Sequence, residues 1–381
     1  MATIRVDVRP ELLRWACDRA GAGGEALREN HPLLDEWVRG DVKPTLKQLE
    51  GFANAARVPV GYLFLSAPPE EQLPIQDLRT VGSKGVRSPS PDLLDTFYLC
   101  QRRQEWYQEY AKRHGGGPVP FIGTATLSQP VEDVAERMRR ALGYDLGARR
   151  DCRDTAEALR LLVERAEDAG VLVMVSGVVK NITARRLDPD EFRGFALADP
   201  IAPLVFVNAA DAKAAQLFTL AHELAHLWLG ESALSDVSLR GVGANRVEAW
   251  CNRVAAEFLV PLADLQAMAV DNPLDQLGAY KDKFHVSRLV ILRRLLDAGL
   301  IDHGQFSARY AAMSQPDAQS PAATGGNFYA TLPIRASRRF LKALVASTLE
   351  GATLYRDAFQ MLGISSTNTF TKIAERMGGL T

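Results

Sequence analysis

Hydrophobic positions along the chain recur mostly at helical spacing. An apolar face repeats from Glu11 to Ala20, ahead of the break Gly21-Ala22-Gly23-Gly24. After Pro44-Thr45 the set Leu46, Leu49, Phe52, Ala53 and Ala56 repeats in the same way. A longer helix is predicted over 91–113, with Leu94, Phe97 and Tyr98 and then Trp106, Tyr107 and Tyr110, stopping at Gly115-Gly116-Gly117-Pro118. Its aromatic residues read as packing, and Arg102, Arg103, Lys112 and Arg113 as a solvated face. Helical patterns at 131–142 and 154–169 lead into VLVMVSGVVK (171–180), whose β-branched residues predict a strand. Two shorter strands are predicted in FRGFALAD (192–199) and PLVFVNA (203–209), then a helix from near Asp211 and another over 247–259. The run 193–199 precedes the first of these helices in the position of an edge strand, where an extended peptide could add by strand pairing. Helices, then strands, then helices again predict an α+β fold that is mostly helical.

Composition narrows the classes. The 381 residues carry 45 Lys+Arg against 46 Asp+Glu, so the chain is not a uniformly basic nucleic-acid binder. With 47% hydrophobic and 24% charged residues it has ample material for packed cores. Cys17, Cys100, Cys152 and Cys251 are scattered without a CxxC pair, which suits a reducing compartment and excludes a cysteine metal site. No apolar run is long enough for a signal peptide or a membrane span, so a cytoplasmic protein is expected. Linker-like stretches at 66–92 and 311–327 suggest four parts: a helical unit at 1–70, a linker and connector at 71–150, a central domain at 151–310, and a linker with a C-terminal helical extension at 311–381.

The chemistry is concentrated in the helix DAKAAQLFTLAHELAHLWLG. It is apolar nearly all round, as a buried helix should be. Its polar exceptions, Thr219, His222, Glu223 and His226, fall at i, i+3, i+4 and i+7 and form one stripe containing HExxH. Buried polar groups need partners. Two imidazoles one turn apart can meet at one metal ion, and Glu223, about 100° round the helix, can reach a water there without being a ligand. Such a Glu can serve as general base in metal-assisted hydrolysis.

Zinc needs a third protein ligand, and His31, His114, His285 and His303 are not suitably placed. Downstream carboxylates are Glu231, Asp236, Glu248, Glu257 and Asp264. Glu248 is favoured, with Asp236 as the alternative, because it sits at the edge of the apolar face of VEAWCNRVAAEFL. Asn252, one turn on, could steady it by a hydrogen bond. Two histidines and a carboxylate also suit non-haem iron, but an acid beside the first histidine points to hydrolysis and zinc. On the same helices, Cys251 reads as inert, and His285 further on as structural.

FTLAHELAHLWLG followed by VEAWCNRVAAEFLVP resembles the ImmA/IrrE family of metallo-endopeptidases, and FHVSRLVILRRLLDAGLI (284–301) extends the similarity. The resemblance implies a zincin-like domain with a small sheet, His222, His226 and Glu248 as zinc ligands, Glu223 as the base, and a protein substrate such as a transcriptional repressor. Trp37, Gly40, Lys43-Pro44-Thr45, Gln48-Leu49-Glu50 and Val58 to Leu63 resemble a Cro/C1-type helix-turn-helix. Asp35 and Glu36 stand where its reading helix would want cations or amides, and residues 1–70 hold nine Lys/Arg and ten Asp/Glu. DNA binding and protein docking both remain open for this unit. The alternative to an endopeptidase is a DNA-binding regulator or antitoxin whose zinc is structural or sensory. Residues 327–381 carry seven Lys/Arg and three Asp/Glu, including Arg335, Arg338, Arg339 and Lys342, which read chiefly as a solvated helix face.

Overall fold

The computed structural model describes residues 4–20, 24–69, 73–77, 89–235, 246–313 and 327–378. The chain divides into two units, Met1–Pro74 with Arg87–Asp95, and Ile75–Val86 with Thr96–Thr381. The first contains α1 (Pro10–Arg19), α2 (Gly24–Asn30), α3 (Leu34–Arg39) and α4 (Leu46–Ala55) around Leu12, Leu13, Trp37, Leu49 and Phe52. A capping box starts α4: the Thr45 hydroxyl accepts the Gln48 N–H while the Gln48 side chain accepts the Thr45 N–H. On α3, Leu34 and Trp37 turn inward, leaving Asp35 and Arg39 outside, and Arg39 is neutralised by Asp41 at 2.8 Å.

The second unit begins with strand β1 (Gln76–Asp77) and includes α5 (Pro91–Arg113) from Thr96 onward. Next come α6 (Val131–Leu142), α7 (Leu146–Arg149), α8 (Thr155–Asp168), β2 (Leu172–Ser176), β3 (Gly194–Leu197), β4 (Leu204–Asn208), α9 (Lys213–Leu229), β5 (Ala233–Ser235) and α10 (Arg246–Leu259). The remaining helices are α11 (Leu262–Ala267), α12 (Leu277–Phe284), α13 (Arg288–Asp297), α14 (His303–Met313), α15 (Phe328–Ala336), α16 (Arg338–Leu349), α17 (Tyr355–Leu362) and α18 (Thr367–Arg376). The fold is thus α+β and mostly helical, with one small mixed sheet in the order β1-β5-β3-β4-β2. Among the described residues no helix is long and apolar enough to cross a membrane.

The strands read as continuous apolar runs because both faces of the sheet are covered. Val173, Val175, Ala196, Val205 and Val207 face the core that contains α8, α9 and α10. The alternate set packs on the other side, where Phe195 lies against Phe97 of α5 at 5.4 Å and stacks on Phe206 at 5.0 Å. Helices α15 and α16 lie against β2.

Three expectations change. The run 193–199 is not an edge strand: β3 pairs antiparallel with β4 on one side and β5 on the other, so its backbone groups are already used and cannot take an added strand. The linker-like stretch 66–92 contributes β1, paired parallel with β5 through Gln76 and Ala233. Arg103 does not belong to a solvated face, because its guanidinium is buried, donating to the carbonyls of Met361 and Arg335 and lying over Phe340. Of the C-terminal cations read as solvated, Arg339 donates to the Tyr107 hydroxyl at 2.7 Å.

The C-terminal end of α9 is held by the segment 119–125. Gly123 and Ala125 donate their N–H groups to the carbonyls of Leu227 and Trp228 at 3.1 and 2.8 Å, satisfying acceptors that a helix end leaves open. Phe121 stacks on Trp228 with ring centres 4.0 Å apart and planes at 9°. Gly230, at φ +74°, ends the helix where a Cβ would come within 3.0 Å of Gly123 Cα. Phe121→Ala is expected to destabilise the second unit by about 3 kcal/mol, read as a lowered urea midpoint at unchanged m-value. An unchanged midpoint would show that this clasp does not hold α9.

Candidate metal centre

Helix α9 runs across β3 and β4 and beneath α8 and α10, so its whole second half is enclosed. His222, Glu223 and His226 have 0% exposure and Glu248, in the first turn of α10, 2%. The two imidazole Nε2 atoms lie 3.2 Å apart. His226 Nε2 is 3.1 Å from Glu248 Oε1, and His222 Nε2 is 3.3 Å from Glu248 Oε2. These three residues are the group that could hold a metal ion among the described residues.

The spacing fits a cation better than a hydrogen-bond network. A tetrahedral site with bonds of about 2.0–2.1 Å has ligand–ligand edges of about 3.3 Å, close to the distances seen here. Two Nε2 atoms this near, both also facing a carboxylate, cannot all be satisfied by the protons that two neutral imidazoles carry. Glu248 Oε2 is buried without a hydrogen-bond partner among the described residues, since its approach to His222 lacks hydrogen-bond alignment. His222 Nδ1 is likewise unpartnered among them. An unmet carboxylate oxygen in an apolar core is costly unless something positive lies beside it, whereas His222 Nδ1 carries the ring proton whenever Nε2 faces a cation.

Electrostatics agree with that chemistry. Burial pushes the Glu248 carboxyl up, but the His226 hydrogen bond and the charge interaction with both imidazoles prevail and hold it at about 2. Burial pushes the His226 imidazole down against the opposing pull of Glu248. An anionic carboxylate and a neutral imidazole are the protonation states that bind metal. Burial pushes the Cys251 thiol well up, with Glu248 and Glu223 adding to the effect, so it stays protonated.

The residue that sequence reading missed is Gly194. It lies on the α9 side of β3, in the same alternation as Ala196. A Cβ there would stand 2.6 Å from Thr219 Cγ2, 2.8 Å from the carbonyl oxygen of Phe206 and 3.1 Å from Glu223 Oε1. Only glycine allows α9 to bring Glu223 this close to the sheet. Nothing local to FRGFALAD signals this, because the neighbours that forbid a side chain lie on the paired strand and on α9, 12 or more residues away.

The other candidates fall elsewhere. Asn252 is one turn beyond Glu248, but no hydrogen bond joins them, and its Oδ1 meets no partner among the described residues. Glu257 is buried in an ion pair with Arg294 and accepts the Leu262 N–H, and Asp264 is exposed. Asp236, the alternative ligand, lies outside the described residues. Of the remaining histidines, His285 adopts φ +54° and approaches the Arg149 carbonyl, and His31 packs on Phe52 in the first unit.

Metal analysis is expected to find about one ion per chain, lost in both His222→Ala and Glu248→Ala. Gly194→Ala is expected to destabilise by about 1–3 kcal/mol, measured by chemical denaturation. A Gly194→Ala protein as stable as the parent would show that the close approach of β3 and α9 is not required.

Residues 166–296 match the family model of Peptidase_M78, described as the IrrE N-terminal-like domain. Residues 336–376 match that of a domain of unknown function, DUF8813. No curated protein matches the chain. The first match spans His222, Glu223, His226 and Glu248, and it supports a metallopeptidase domain of the ImmA/IrrE kind over that segment.

Proposed function

We propose that the chain is a zinc-dependent, site-specific endopeptidase with a regulatory role, cleaving a partner protein such as a transcriptional repressor. The observation that carries this reading is the acid set beside the ligand group: Glu223 follows the first imidazole on α9 and is enclosed with it against Gly194. Zinc held by His222, His226 and Glu248 would supply Lewis acidity and make a water acidic enough to lose its proton near neutral pH. Two neutral imidazoles and one carboxylate would offset only half of that ion's charge, preserving its acidity, and would be three protein ligands, the number found in catalytic zinc sites. Glu223 takes the proton from the attacking water and returns it to the departing amine. Its enclosure in an apolar core strengthens its interaction with positive charge in the site.

One observation favours a second reading, a DNA-binding regulator or antitoxin with a structural or sensory zinc. His222, Glu223 and His226 are wholly enclosed, as closed structural sites are. The first unit would then be the DNA-binding module. A salt-dependent shift of promoter duplex, abolished by removing residues 1–70, is the outcome that reading requires.

Glu223→Gln separates the two. It is expected to keep about one zinc per chain and lose cleavage by about 10²-fold or more. New protein N-termini in cells with the parent chain, absent in cells with the variant, are the expected signature. If the cellular effect of the chain survives Glu223→Gln, the endopeptidase reading fails and the regulator reading stands.

A further inference from the structure

The C-terminal helices enclose a cleft far along the chain from the metal centre. Its volume is about 580 Å³, within the range of ligand-binding pockets. Leu332, Leu341 and Ile373 are buried in its floor, and Ile334, 39% exposed, stands at its side. Arg338 and Lys342, one turn apart on α16, and Arg376 of α18 supply its charge. No carboxylate lines it, and none of these three cations is in a salt bridge among the described residues. The Arg376 guanidinium is fixed by lying 4.8 Å over the Tyr329 ring. Pro333, inside α15, has no N–H to offer the carbonyl of Tyr329 four residues back, so Tyr329, which lines the cleft, lacks the donor a helix would normally give its carbonyl.

We propose that this cleft is a binding site for a short acidic–apolar peptide segment. An apolar side chain occupies the floor, carboxylates meet Arg338, Lys342 and Arg376, and a backbone N–H reaches the Tyr329 carbonyl. The charges are complementary, because three cations and no carboxylate line the cleft; of the three, Arg338 also feels a nearby carboxylate, that of Glu167. A nucleic-acid strand fits less well. It wants open aromatic faces for its bases, whereas the Tyr329 face is taken by Arg376 and the floor is aliphatic. This site stands whether or not the metal centre hydrolyses peptides.

The test uses the full chain and a fluorescein-labelled Glu-Leu-Asp-Asp-Leu-Glu peptide, followed by fluorescence anisotropy. Saturable binding is expected. It should weaken about tenfold or more in Lys342→Glu and in Ile334→Asp, two exposed positions whose variants should melt at the parent temperature. The amide analogue Gln-Leu-Asn-Asn-Leu-Gln should bind at least about tenfold more weakly. Binding that ignores both substitutions, or equal affinity for the amide analogue, overturns the proposal. No saturable binding of the acidic peptide overturns it too. Tighter binding of a 20-base-pair duplex, lost in Lys342→Glu, would assign the cleft to nucleic acid instead.

Discussion

His222 Nε2 and His226 Nε2 are held 3.2 Å apart inside an apolar core, the first 3.3 Å from Glu248 Oε2 and the second 3.1 Å from Glu248 Oε1. Without a cation, two imidazole nitrogens crowd each other at 3.2 Å and one Glu248 oxygen has no hydrogen-bond partner among the described residues, with water excluded. With a divalent cation among them the same arrangement becomes a source of stability, since binding energy at a site present only in the folded chain is folding energy. The surrounding architecture serves this convergence. Helix α9 carries two of the donors, α10 brings the third, and the sheet fixes the depth at which α9 lies.

That depth is set by small side chains. On the face of the sheet toward α9, β3 presents Gly194 and Ala196, and β4 presents Val205 and Val207. Larger residues, Phe195 and Phe206 among them, are directed to the opposite face, where they stack with each other and with α5. Alternation along the strands thus sorts bulk to one side and close approach to the other. The far end of α9 is clasped by Phe121 and two backbone donors, so the helix is located at both its middle and its end.

The helices after 327 belong to the same unit and are tied to it by polar contacts inside the core. Arg103 of α5 donates to carbonyls of α17 and α15, and the Ser337 hydroxyl donates to Glu167 of α8. Burial, opposed by interaction with Cys100, pushes the Arg103 guanidinium down to about 10, still leaving it charged at neutral pH, and carbonyl oxygens rather than a carboxylate receive it. Such a cation specifies position, because leaving it without those acceptors would be expensive.

Much of this was legible without coordinates. Helices α9 and α10, strands β2 to β4 and the HExxH stripe follow from local periodicity, and a polar stripe on an otherwise apolar helix is itself a statement that something must satisfy it. Glu248 could be favoured from its place at the edge of an apolar face, because that placement depends only on helical geometry. Tertiary structure alone decided which strands became neighbours, since pairing β1 with β5 joins residue 76 to residue 233, and no window along the chain contains both. It also made β3 an interior strand, buried Arg103, and required glycine at 194. Each depends on what packs opposite. A sequence states the chemistry and period of each segment, but the partner across a sheet or a core is chosen by the free energy of the whole chain.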